Sequence, residues 1–222
     1  LYLWSVLSMF RVVVADRVQT EVADQPVLRE LRLGFSYVRN TPVILMLLVC
    51  NFLMVFFSLP YFMLLPGFAK QILNAGPDKL GLLISISGIG SLIGSLLIAS
   101  MSNRRRGRVL LFGALMLGVP LLLFSMSTNY VLSTALLALV GLGQSVRMSL
   151  SNVLIQSYVD DEYRGRVMSI YMLEMAFLGV SIYPISVMAD VIGVQWAVAA
   201  SACGLIVLVC VLFYVPSYRD LD

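Results

Sequence analysis

The placement of the charged side chains is the strongest constraint on what this chain can fold into. No charge occurs from Asn40 to Ala69, from Leu80 to Asn103, or from Val191 to Tyr218. Between Val109 and Val159 the only charge is Arg147, and between Val167 and Ala189 the only one is Glu174. A helix crosses the hydrocarbon core of a bilayer with ~20 mostly apolar residues. Only 12% of the 222 residues are charged, about half the share in soluble chains. A water-facing surface cannot be built from so few, and the bilayer is the natural solvent.

The run from Val109 to Val159 is long enough for two spans, and Ser127-Thr128-Asn129 supplies the polar break. Six spans are expected, near 42–65, 80–101, 109–126, 130–156, 167–189 and 195–215. The fold class is therefore an all-α integral membrane protein with six transmembrane helices.

The connections alternate in charge. One side holds Arg104, Arg105, Arg106 and Arg108, then Arg164 and Arg166, then Arg219. Arg11, Arg17, Arg29, Arg32 and Arg39 precede the first span on the same side. The other side holds only Lys70 and Lys79 as basic residues. Basic loops stay cytoplasmic, so the arginine-rich face and the C-terminus are expected in the cytoplasm.

Residues 1–14 are apolar apart from Arg11 and too short to span; they read as the end of a transmembrane helix whose start is missing. Residues 15–40 read as a cytoplasmic linker, and 41–222 as the six-helix bundle. After Pro26, Leu28, Leu31, Phe35 and Val38 recur at three- and four-residue steps with Arg29, Arg32 and Arg39 between them. That pattern is an amphipathic helix on the membrane surface.

Several chemistries are excluded. There is no histidine, which removes imidazole bases and histidine triads. Cys50, Cys203 and Cys210 lack metal-ligand spacing, and no Walker A motif is present. No enzyme, cofactor or metal is expected. The arginine clusters are explained by topology and anionic lipid rather than nucleic acid.

Arg147 and Glu174 are the ionisable residues deep inside spans, where charge is costly and marks a pair or a wet cavity. Counted from the arginine-rich end, Arg147 lies ~15 Å deep and Glu174 ~12 Å at 1.5 Å per residue. Their spans are consecutive and antiparallel, so an ion pair or two charges on one cavity is expected. Asn51 sits mid-span, and Gln144, Ser145, Asn152 and Gln156 mark a polar stripe along the fourth span. Arg147, Glu174, Asn51, Gln144 and Asn152 are the candidates for a polar cavity inside the bundle. Gly90 and Gly94, with serines at the same step, point to close helix packing in lipid. Pro60, Pro66, Pro120 and Pro184, with Gly141 and Gly143, weaken or kink their spans.

Three helices followed by three helices invite a repeat test. The ends of the second and fifth spans (Ala99 to Gly107 and Met188 to Gly193) share a small residue, then Asn or Asp, then a glycine, on opposite faces. Two inverted three-helix repeats are expected.

Gly94 to Arg108, GSLLIASMSNRRRGR, resembles the loop motif of the major facilitator superfamily. Gly94, Gly107 and Arg108 match, with Arg105 in the same loop; Asn103 or Arg104 stands at the acidic position, so the resemblance does not carry over that position's usual ion-pair role as a gate latch. The stretch Asp160-Asp161-Glu162-Tyr163-Arg164-Gly165-Arg166 is similar to a loop of bacterial exporters of the enterobactin-exporter-like group, as is Arg39-Asn40-Thr41-Pro42. The resemblance implies that the six spans are helices seven to twelve of a transporter whose N-terminal six-helix half is missing here. It also implies a bacterial inner (plasma) membrane and proton-coupled efflux, by antiport, of a small drug- or siderophore-like molecule, with Arg147, Glu174, Asn51, Gln144 and Asn152 as transport-cavity and coupling candidates and the bilayer, the other half and protons as partners. The alternative is a non-transporting half-transporter fragment or assembly partner.

Overall fold

The computed structural model of the chain describes residues 27–101, 105–219 and 221. The expected helix tail over 1–14, the linker over 15–26, Asn103 and Arg104 lie outside the described residues.

Among the described residues all regular structure is helical. The helices are α1 (Val27–Asn40), α2 (Pro42–Ser58), α3 (Pro60–Gln71), α4 (Pro77–Ser100), α5 (Arg106–Met126), α6 (Tyr130–Tyr158), α7 (Arg164–Met172), α8 (Glu174–Ile192), α9 (Val194–Phe213) and α10 (Pro216–Arg219). Six membrane spans result, because α2 runs on into α3 and α7 into α8.

Local chemistry sets the boundaries. Proline opens α2, α3 and α4, where its missing N–H costs nothing and its fixed φ suits the first turn. The Asn129 side chain caps α6 by accepting from the Val131 and Leu132 N–H groups at 2.9 and 3.2 Å. The reversal between α8 and α9 is made by Gly193 at φ +92°, a conformation that favours glycine.

The breakers act unevenly. Pro60 does separate α2 from α3 at Leu59, whereas Pro66, Pro120 and Pro184 sit inside helices that continue. Gly141 and Gly143 do not interrupt α6. They bring it close to its neighbours instead. A Cβ at Gly141 would collide with the Ser87 carbonyl of α4, and one at Gly143 with the backbone of α5. Gly90 and Gly94 meet α6 from the other side in the same way, and the Ser91 hydroxyl donates to the Gly141 carbonyl at 3.0 Å. Without a hydrophobic drive between helices in lipid, such close contact supplies dispersion and hydrogen bonding.

The core lies between α2, α5, α6 and α9, where Leu47, Met54, Leu110, Ala114, Leu137, Leu154, Ala202 and Leu205 are fully buried. The outer helices α4 and α8 bury few residues and present Leu92, Leu96, Val180 and Tyr183 outward.

Candidate functional site

The deep charges are brought together by three helices. Arg147 of α6 and Glu174 at the start of α8 are 1% and 3% exposed. Asn51 of α2, also buried, stands between them. The Arg147 guanidinium donates from its Nη1 to the Asn51 Oδ1 at 3.2 Å, and the Asn51 Nδ2 donates to the Glu174 Oε2 at 3.0 Å. The expected association of the two charges is thus relayed through an amide. A guanidinium only donates and a carboxylate only accepts, so an amide with one acceptor and one donor end fits the gap. In a low-dielectric interior a charge-assisted chain of this kind is strong, while either charge without its partner is costly.

The position of Glu174 follows from a turn that no proline or glycine announces. The helix of the fifth span stops at Met172, and Leu173, at φ −62° and ψ −11°, serves as the junction to α8. The Leu173 N–H bonds to the Ile170 carbonyl at 3.1 Å. Glu174 therefore occupies the first turn of α8, where the aligned peptide dipoles favour a negative charge.

Among the described residues, Arg147 Nε, Ser151 Oγ and Gln144 Oε1 are also buried and meet no hydrogen-bond partner. Tyr171 lies one helical turn before Glu174 and beside both Glu174 and Asn152. On the outer side, a cavity of about 390 Å³ is lined by Met148, Asn152, Tyr171, Met172, Glu174 and Met175, among others. The three methionines are exposed and the tyrosine and carboxylate are buried, giving a flexible apolar rim over a polar floor.

The polar stripe of α6 divides. Arg147 and Ser151 point into the bundle; Gln144 is half-buried; Met148 faces outward. Asn152 lines the cavity and accepts from Gln156 Nε2 at 2.6 Å. Tyr171 is absent from the residues expected in the site; it stands three before Glu174, across the Leu173 junction.

Of the loop motif, Gly94, Arg105, Gly107 and Arg108 are among the described residues. Gly94 abuts Leu142 and Ser145, Arg105 is left-handed at φ +62°, and the Gly107 N–H donates to the Leu221 carbonyl at 3.0 Å. Arg108 follows in the first turns of α5. In the second loop Asp160 accepts from the Tyr37 hydroxyl at 2.9 Å, Asp161 pairs with Arg164 at 2.5 Å, and Arg166 lies over the Tyr163 ring.

Six apolar spans around a buried, bridged pair of charges define a multi-pass membrane protein with a polar interior. The family model of the Major Facilitator Superfamily matches residues 44–221, and the chain belongs to that superfamily, whose members are membrane transporters. No curated protein matches the chain.

Proposed function

We propose that the protein performs secondary active transport, exporting a small drug- or siderophore-like molecule by antiport with protons. The observation that carries the reading is the Arg147–Asn51–Glu174 chain, three polar residues from three helices at buried positions. Buried intramembrane charge is expensive and is kept where it works. Glu174 is the proton carrier in this reading, Arg147 its counter-charge, and Asn51 the relay. Gln144 and Asn152 add polar wall to the substrate path, and the methionine-rimmed cavity beside Glu174 receives the apolar part of the substrate.

Protonation of Glu174 removes the charged acceptor from Asn51 and loosens the tie between α8 and α2. The junction at Leu173 lets α8 move against α7. The membrane is a bacterial plasma membrane with the arginine-rich face and the C-terminus in the cytoplasm, following the charge bias of the loops. The outward apolar faces of α4 and α8 suit a second six-helix half as partner, since transporters of this kind rock two halves about a shared site. A half that assembles without transporting is the alternative, and those same faces favour it. The test is efflux of a fluorescent amphiphile from proteoliposomes containing the protein. Efflux that follows an imposed proton gradient and stops with an uncoupler supports the proposal; efflux indifferent to the gradient refutes it.

A further inference from the structure

We infer that α1 is a docking surface for anionic lipid headgroups, held in a fixed roll by the loop that leads into α7. The roll is set by Tyr37. Its hydroxyl donates to the Asp160 carboxylate at 2.9 Å and accepts from the Asp160 backbone N–H at 3.2 Å. Its ring stacks on Tyr163 with centroids 4.2 Å apart and planes nearly parallel. Gly34 meets the Arg166 side chain, and Val38 is buried. These contacts fix which edge of α1 faces the protein.

The rest of the helix surface follows from the 100° step between residues. Leu31 and Phe35 lie on the flank next to Gly34 and Val38, and are 38% and 53% exposed. Arg32 and Arg39 come next around the helix, then Arg29, all exposed. Protein, apolar flank and arginines therefore occupy successive sectors. Thr41, in extended backbone, is the one residue between α1 and the proline that opens the first span, so α1 is anchored at the level where hydrocarbon gives way to headgroups. A helix with an apolar edge beside arginines at that level sinks the edge into the acyl boundary and sets the arginines against negative headgroups. The α1 sequence holds three arginines and one acidic residue, Glu30; in the neighbouring loop Asp161 is paired with Arg164, Asp160 is held by the Tyr37 hydroxyl on the protein side of α1, and Glu162 is exposed, so arginine stays in excess on the outward sector. Charge complementarity thus selects anionic lipid over zwitterionic lipid.

The test uses the full chain in phosphatidylcholine vesicles. Trp4→Phe and Trp196→Phe remove the native tryptophans, and Phe35→Trp places a reporter on the apolar flank. Equal small fractions of brominated phosphatidylglycerol or brominated phosphatidylcholine are added as quenchers. The expected result is stronger quenching by the glycerol lipid, with that preference lost on Arg29→Gln/Arg32→Gln/Arg39→Gln and in high salt. Trp196, retained in a parallel preparation of the triple variant, checks that the spans stay inserted. Equal quenching by the two lipids, a preference that survives the triple substitution, or no quenching at all would overturn the inference.

Discussion

Asn51 and Glu174, 123 positions apart in the chain, share a buried hydrogen bond of 3.0 Å. The same amide accepts from Arg147 through its other end. The interior of the bundle is thereby tied across α2, α6 and α8 by one side chain that carries no charge.

Removing one end of the chain should cost more than removing both. Arg147→Met strands the Glu174 carboxylate, and a buried charge left alone costs about 3–5 kcal/mol. Arg147→Met combined with Glu174→Gln leaves no uncompensated charge and should recover much of that loss. Thermal unfolding of the single and double variants in one detergent measures the coupling; additive losses would count against the chain.

Asn51→Leu keeps the branched outline but removes both hydrogen bonds. A loss of about 1–3 kcal/mol is expected from the unsatisfied groups. Asn51→Asp should do less harm to Arg147 but repel Glu174, so its stability should fall as both carboxylates ionise. A stability series against pH distinguishes the two variants.

Gly141→Ala and Gly90→Ala should each drive α4 from α6, because the added Cβ meets backbone carbonyls that cannot move aside alone. Overpacking of this kind costs about 1–3 kcal/mol. Gly88→Ala, on the same helix as Gly90 but with open space at its Cβ, should be neutral or stabilising by up to ~1 kcal/mol, since alanine is the better helix former. Equal effects at Gly88 and Gly90 would contradict the packing.

Gly90 and Gly94 show how much of the fold is legible in the amino-acid sequence. Their four-residue spacing alone points to close helix packing, and the charge-free stretches mark the membrane-crossing helices. Arg147 and Glu174 stand out because charge is rare at depth. Their connection through Asn51 is not legible, since it depends on three helices separated by up to 123 positions meeting at one height. The junction at Leu173 is also hidden, as neither proline nor glycine marks it. Tyr171 escapes because an aromatic in an apolar run reads as ordinary packing until its neighbours are known.

Burial holds the Tyr218 hydroxyl, beyond the last span, well above its ordinary value near 10. A group whose pKa is raised on folding contributes stability that is complete below its unfolded value and is lost as pH rises above it. The short helix Pro216–Arg219 should therefore loosen above about pH 10, and Tyr218→Phe should flatten that loss. Hydrogen exchange of that helix against pH is the check.

In the proposed mechanism Glu174, bridged to Arg147 by Asn51, couples proton movement to transport. The most direct measurement compares Glu174→Gln with the unaltered protein in proteoliposomes, in gradient-driven efflux and in substrate exchange without a gradient. Glu174→Gln is expected to keep exchange and lose proton-driven efflux. Driven efflux that survives in Glu174→Gln with its full dependence on the proton gradient would contradict it.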